Sequence, residues 1–367
     1  MVTRQVDAVV VGLGAMGAAA AWQLAGSGRT VVGLEQFEPG HDRGSSHGAT
    51  RIFRLAYRDP RYVALALAAL PRWRELEKAT GEVLLEQVGQ LDHGDAVAID
   101  EICAHLDAAG RPYERLDPRD ASERWPAMRF GEAVVFSPDG GRCWAERTVA
   151  AAARAATDLG AELHYSTPVR SIAVEGDTAV VRTDELTLRA PVAVVSAGAW
   201  VAPLLAGTVR LPSLEVVAEQ PSHFRPREAG GDWPSFLHHS PEAAGTAGLG
   251  FAAYGLETPG TGIKVGGAGT AAPVDPDRRG PLDPVRTAAL VAYVEEWFPG
   301  LDPEPVDTTS CLFTSTSDEH FVLDRRGPVI VCSPCSGHGF KFVPAIGRAV
   351  RDLADGGPTD PAWRLPA

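Results

Sequence analysis

The chain has 367 residues, 45% of them apolar and 22% charged, a balance that excludes a disordered tail, a fibrous repeat and a small disulfide-stapled module. Its 47 acidic side chains against 34 basic ones leave a net charge of -13, a field that repels polyanions, so no nucleic-acid partner is expected. Five cysteines in a chain of this kind predict free thiols in a reducing cytoplasm rather than a disulfide framework.

In chain order, Val6 to Val11 is a β-branched run, Gly12 to Gly17 a glycine turn, Ala18 to Ala25 an alanine-rich helix and Thr30 to Glu35 a second strand. Asp7 and the glycines interrupt the amino-terminal apolar stretch, so it reads as a nucleotide-binding strand and turn, not a signal peptide. Arg61 to Lys78 has helical spacing through Val63, Leu67, Leu70 and Leu76, and Pro71 is predicted to kink or divide it. Glu146 to Leu159 reads as a helix; Glu162 to Thr167, Asp177 to Thr183 and Val192 to Ser196 read as strands. Pro328 to Cys332 reads as a further strand and Phe342 to Ala354 as the closing helix. No run reaches the roughly 18 apolar residues of a membrane span, and no membrane partner is expected. This alternation predicts a nucleotide-binding domain built from residues 1–82, 143–211 and 309–367, covered by a second domain from residues 83–142 and 212–308.

The turn reads Gly12-Leu13-Gly14-Ala15-Met16-Gly17, and Glu35 ends the next strand. The first glycine allows the tight turn, the second lets backbone approach a pyrophosphate, and the third lets helix pack on strand; the helix amino end adds partial positive charge. Glu35 suits an adenosine ribose and repels a 2′-phosphate, which disfavours NADP. The motif leaves FAD and NAD open.

Three later segments narrow the choice. They are Gly44-Ser45-Ser46-His47-Gly48-Ala49-Thr50-Arg51-Ile52-Phe53-Arg54, the run Cys311-Leu312-Phe313-Thr314-Ser315-Thr316-Ser317-Asp318-Glu319-His320-Phe321, and Ser336-Gly337-His338-Gly339-Phe340-Lys341. With Ser196-Ala197-Gly198-Ala199-Trp200, they resemble the monomeric sarcosine oxidase and N-methyltryptophan oxidase group of the FAD-dependent D-amino-acid, glycine and sarcosine oxidases. The resemblance implies an α/β fold: an FAD-binding, Rossmann-like domain of the glutathione-reductase type, and a mixed-sheet α+β substrate domain. It implies FAD, joined to Cys311 by a thioether at the flavin 8α-methyl. Cofactor contacts are implied for Gly12, Gly14, Met16, Gly17, Glu35, Gln36, Ser45, Ser46, His47, Thr50, Arg51, Val169, Ala197, Gly198, Trp200, Gly337, His338, Gly339, Phe340 and Lys341.

The same resemblance places Arg54 and Lys341 on the substrate carboxylate, a role that suits a planar guanidinium and a point-charge ammonium. His47 and Arg51 are implied beside the isoalloxazine as cationic modulators, and Lys264 as the lysine that promotes reaction with oxygen. Glycines before the last helix also have a direct reading, since amides and a helix dipole there stabilise charge on flavin N1 and the C2 carbonyl. Ala268 stands where close relatives carry a histidine and Phe313 where they carry a tyrosine, so the N-substituent is expected to be larger or more apolar than that of sarcosine. Tyr254 is the expected pocket tyrosine. Cys332 and Cys335 are read as reduced thiols without metal; His223, His238 and His239 are read as loop or domain-interface residues.

The expected reaction is oxidation of a small secondary amino acid, most simply an N-substituted glycine: hydride passes to flavin N5, the imine hydrolyses, and O2 becomes H2O2. The alternatives are removal of an N-carboxymethyl group as glyoxylate in a biosynthetic pathway, an NAD-dependent dehydrogenase, and a non-catalytic flavin-binding protein. The expected partners are the small amino acid and O2, with the chain a monomer or weak homodimer.

Overall fold

Short runs of valine buried on both faces belong inside a covered parallel sheet, and Ala8–Val11 lies near the middle of one. In the computed structural model, which describes residues 2–240, 251–267 and 271–366, this is a six-stranded sheet. Its order is Glu162–His164, Val31–Leu34, Ala8–Val11, Ala193–Val195, Val329–Ser333, Val322–Arg326, parallel except for the last pair. Helices Ala15–Ala25, Ala145–Asp158 and Val343–Ala354 pack together on one face. The other face shares a core with a four-stranded sheet through Val9, Val11, Ile172, Val181 and Leu188.

Two helices differ from expectation. The first begins at Ala15, inside the glycine motif, so Gly14 is its N-cap and Gly17 lies within it. The helix Pro60–Thr80 is continuous; Pro71 does not divide it. Asp59 caps its start by accepting from the Arg61 amide at 2.9 Å, and Gly81 ends it in the left-handed conformation at φ 72°. Trp73 is fully buried and donates to the Lys341 carbonyl at 2.9 Å, and this anchorage offsets the backbone bond that proline removes.

The second large sheet has eight strands: Leu301–Thr308, Ser222–Pro226, Gly262–Gly267, Phe251–Thr258, Ser235–His239, Gln90–Gly94, Ala133–Ser137 and Glu114–Leu116. Its outer face packs under helix Pro284–Trp297 through Leu91, Phe224, Phe236, Val265, Leu290 and Val294. Its inner face looks toward the six-stranded sheet and supplies His223, Leu237, Tyr254, Leu256 and Lys264 to the cavity between them. His223, His238 and His239 are therefore not loop residues; all three are buried on strands. The small sheet Thr50–Phe53, Gly141–Trp144, Leu85–Glu86 and the pair Leu214–Glu219 with Cys311–Thr316 join the large sheets. Among the described residues, no helix is long and apolar enough to cross a membrane.

Candidate active site

Between the sheets lies a cavity of about 770 Å³. Its nucleotide end is a cradle made by the absence of side chains. Gly12 sits at φ +88°, and a Cβ there would meet the Ser196 carbonyl at 2.6 Å; a Cβ on Gly14 would lie 2.9 Å from Ser46 Oγ. Gly17 faces away from the cavity, because its Cβ would fall 1.7 Å from the Gly12 carbonyl oxygen. The first turn of this helix carries no acidic residue and Gly14 offers no capping side chain; the neutral Ser46 hydroxyl accepts from the Ala15 amide at 3.0 Å, so the partial positive charge of the helix end is not neutralised by its own first turn. Glu35 accepts from the Leu13 amide at 2.8 Å and from Phe37 at 3.1 Å, which fixes the turn while leaving Glu35, Gln36 and Met16 on the cavity wall. Val169, Ala197, Gly198 and Trp200 line the same end. The cradle, the helix end and the acid at the next strand together fit a dinucleotide cofactor.

Further along, Arg51 is the knot of the loop that follows. Its guanidinium donates to the carbonyls of Thr50 at 2.8 Å, Ser45 at 2.9 Å and His47 at 2.7 Å, and stands 3.7 Å from Cys311 Sγ. Lys264 donates to the same Thr50 carbonyl at 2.9 Å. Burial, with Arg51 second, pulls the Lys264 ammonium down to about 7. His47 departs from expectation: burial, then Arg51 and Arg279, lower it to about 4, so it is a neutral imidazole and the positive charge here comes from Arg51. The Ser45, Ser46 and Thr50 side chains complete this wall. Opposite, Gly337 sits at φ +73°, and a Cβ on Gly339 would overlap the Pro334 carbonyl. His338 and Phe340 lie on this turn, which leads through the short 3-10 turn Phe340–Phe342 into helix Val343–Ala354.

The third part of the cavity holds two cations. Arg54 donates to the Ala56 carbonyl at 2.7 Å with its guanidinium carbon 3.9 Å from the Tyr57 ring centre. Lys341 donates to the His338 carbonyl at 2.7 Å, its Nζ 5.6 Å from the same ring. Both are buried, and burial together with Arg54 drives the Lys341 ammonium well below its ordinary value. Among the described residues, neither has a carboxylate at ion-pair distance. Buried charge without a partner is costly, which is what lowers Lys341; an anion from outside would hold both groups in their charged forms. Tyr254, Phe313 and Leu237 line the cavity; a Cβ on Gly266 would strike the Tyr254 hydroxyl at 2.5 Å, so the ring lies flat against that glycine. Ala268 lies outside the described residues.

Sequence reasoning missed Tyr57, whose ring carries both cations, and Glu146, which accepts from the Gly48 amide at 2.6 Å and so pins the loop. An aromatic residue three places after Arg54 was the available signal for Tyr57. It also missed Thr258, which no local pattern marks. Among the described residues, no group of three or more His, Cys, Asp or Glu converges on a metal site.

The pattern of the FAD dependent oxidoreductase family matches residues 7–353. The chain belongs to that family. This FAD-dependent oxidoreductase is similar to a monomeric sarcosine oxidase of Streptomyces avermitilis, 33% identical over 370 residues that cover 96% of this chain and 94% of the relative. It is also similar to the N-methyl-L-tryptophan oxidase of Yersinia pestis, 28% identical with 96% of each chain covered. Among solved structures, NikD, an unusual amino acid oxidase essential for nikkomycin biosynthesis, is 28% identical with a TM-score of 0.87 over 99% of this chain and 98% of its own. The choice that the glycine turn left open is thereby decided for FAD.

Proposed function

We propose that this FAD-dependent oxidoreductase oxidises a secondary amino acid, an N-substituted glycine bulkier at nitrogen than sarcosine, with O2 as the electron acceptor and H2O2 as product. The observation that carries the reading is the pair Arg54 and Lys341, two buried cations on one wall without a carboxylate partner among the described residues. They would grip the substrate carboxylate, one by a planar fork and one as a point charge. Tyr57 holds both at a fixed separation.

When bound, FAD supplies the two-electron acceptor. The protein supplies the rest. Gly12, Gly14, Ser46 and Glu35 would hold the nucleotide, and Ser45, Thr50, Arg51 and Cys311 would meet the ring, with Cys311 as the covalent tether. Gly337, Gly339 and the helix amino end behind them would face the side of the ring that gains negative charge. His47, neutral here, would act as a hydrogen-bonding neighbour, and Lys264 would stabilise the anion formed as oxygen accepts an electron. Apolar Leu237, Leu256 and Phe313 beside Tyr254 favour a larger N-substituent. We also assign residues 1–82, 143–211 and 309–367 to the FAD-binding domain and residues 83–142 and 212–308 to the substrate domain, since the two large sheets draw their strands from these separate sets.

The test is anaerobic bleaching of the flavin by a panel of N-alkyl and N-carboxymethyl amino acids and matching amines without the carboxylate, with products identified by mass. Bleaching by the acids is expected. Arg54→Ala should raise the half-saturating concentration roughly 10- to 100-fold for acids, the cost of a lost charged hydrogen bond, and leave the amines within about threefold. No bleaching by any acid, or equal weakening for both sets, rejects the reading. Release of glyoxylate with a primary amine, instead of glycine with an aldehyde, would assign oxidation to the glycine methylene.

A further inference from the structure

The inner face of the eight-stranded sheet carries a polar run that amine oxidation does not use. His223 is the cross-strand partner of Lys264 on one side and of Asp307 on the other. Register partners share a face, so these three side chains are set in a row by the sheet itself. Asp307 is half exposed, and its Oδ2 lies 3.5 Å from His223 Nδ1. On its other nitrogen, His223 Nε2 lies 3.2 Å from Thr258 Oγ1, and Thr258 Oγ1 lies 2.7 Å from Thr50 Oγ1. Residue 50 closes the row: its carbonyl accepts the Lys264 ammonium. His223, Thr258 and Thr50 are all buried, and with Asp307 and Lys264 they line the cavity.

A run of this shape has a chemical use. Each hydroxyl both donates and accepts, and a neutral imidazole carries one N–H and one lone pair on opposite sides of the ring. Burial, with Lys264 second, lowers His223 to about 4, which keeps it in that neutral form. Its Nδ1 is buried without a well-aligned hydrogen bond, although it faces Asp307. A purely structural histidine gains little from such a position.

We infer that Asp307, His223, Thr258 and Thr50 form a proton inlet from solvent to the oxygen-reducing end of the cavity at Lys264. The inference rests on the oxidase reading above. With FAD bound, reoxidation would balance as FADH⁻ + O2 + H⁺ → FAD + H2O2, with two electrons to oxygen and one of the two protons from the flavin, so the protein would have to deliver the other. Along the inlet, His223 Nδ1 gains a proton from the solvent side at Asp307 while Nε2–H passes its proton to Thr258. The Thr258 proton moves to Thr50 Oγ1, and that of Thr50 moves into cavity solvent beside Lys264. Each O–H or N–H bond broken is matched by one formed; the net change is one proton carried inward with His223 left as its Nδ1–H tautomer, which ring rotation and rotation of the two hydroxyls reset before the next proton.

Thr258→Val keeps the side-chain shape and removes the relay hydroxyl; Thr258→Ser restores it; His223→Gln keeps hydrogen bonds but cannot pass a proton through a ring. Each flavoprotein is reduced anaerobically with dithionite and mixed with oxygenated buffer in H2O and in D2O. Thr258→Val and His223→Gln are expected to reoxidise at least fivefold more slowly with a larger solvent isotope effect, and Thr258→Ser to stay within twofold of the parent. Reoxidation within twofold in both relay variants, with the isotope effect unchanged, overturns the inlet while leaving the amine-oxidase reading intact. That reading fails separately, if no amino acid bleaches the flavin; dithionite reduction does not depend on it. A readout independent of turnover is the ¹⁵N resonance of His223 in the purified protein. Thr258→Val should move the Nε2 signal and Asp307→Asn the Nδ1 signal, and fixed signals in both variants overturn the inlet.

Discussion

A single carbonyl organises the chemistry. Thr50 O accepts from both Arg51 and Lys264, so two cations share one neutral acceptor at the point where the loop turns into its strand. Arg51 then uses its other nitrogen on Ser45 and His47 and reaches Cys311 Sγ at 3.7 Å, which orients the sulfur at the cavity wall. Cys311 is buried and its strand is paired in register with Leu214–Glu219, which fixes its backbone at the cavity wall, while the contacts to Arg51 and the Ser45 carbonyl at 3.7 Å hold the sulfur's direction. The proposed thioether would use the sulfur at this position. Protein precipitated with acid is expected to stay yellow, and Cys311→Ser to release its flavin into the supernatant; free flavin from the parent protein would reject the bond. Cys311, Arg51 and Lys264 could be named from the sequence because the family resemblance places each of them, and all three line the cavity. His223 and Thr258 could not, because they meet only through the sheet: Thr258 finds Thr50 across the small joining sheet, and His223 finds Lys264 by strand register.

Among the elements, the glycine turn and the helix Ala15–Ala25 show how packing sets a binding site. Here local sequence was sufficient, since turn, helix and following acid are contiguous and their spacing carries the geometry. It misjudged the helix start by assigning all three glycines to the turn, whereas Gly17 is a helical residue pressed on the Gly12 carbonyl. Pro71 was expected to kink or divide its helix; the helix is not divided, and the tertiary anchor at Trp73, invisible in the sequence, helps to hold it together. Gly17→Ala tests the packing. Alanine favours a helix by about 1 kcal/mol over glycine, yet its Cβ would fall 1.7 Å from Gly12 O and 2.6 Å from Ser196 Oγ. Such overpacking costs about 1–3 kcal/mol, and because a backbone atom must move, the displaced piece is the cofactor turn itself. The expected result is a lower urea midpoint together with reduced flavin content. A midpoint at or above the parent's, with full flavin, would mean that the helix does not press on the turn.

At the scale of the whole molecule, buried histidines of lowered basicity stand on the eight-stranded sheet (His93, His223, His238), on the loop before Thr50–Phe53 (His47) and on the turn before the closing helix (His338). His47, His223 and His238 are lowered to about 4, chiefly by burial, and His93 and His338 lie well below the ordinary value for the same reason. In the unfolded chain each imidazole titrates near the ordinary value of about 6.5. Between pH 6.5 and 4 the unfolded state therefore binds more protons than the native state, so stability is fully present above 6.5 and falls as the pH drops through this window. Two effects oppose the fall. Burial raises Glu319 to about 7, so its native form gains protons first on acidification, and the net charge of -13 becomes less self-repulsive. Burial raises Glu219 as well, but two carboxyls do not balance five imidazoles, and the charge effect is long-range and screened by salt, whereas the cost of charging a buried ring is not. The urea midpoint is thus expected to fall steadily from pH 6.5 to 5 and to fall more steeply in about 0.5 M salt, where the relief of self-repulsion is screened. A midpoint that is flat or rises over that range in high salt would mean that these rings take up protons in the folded protein.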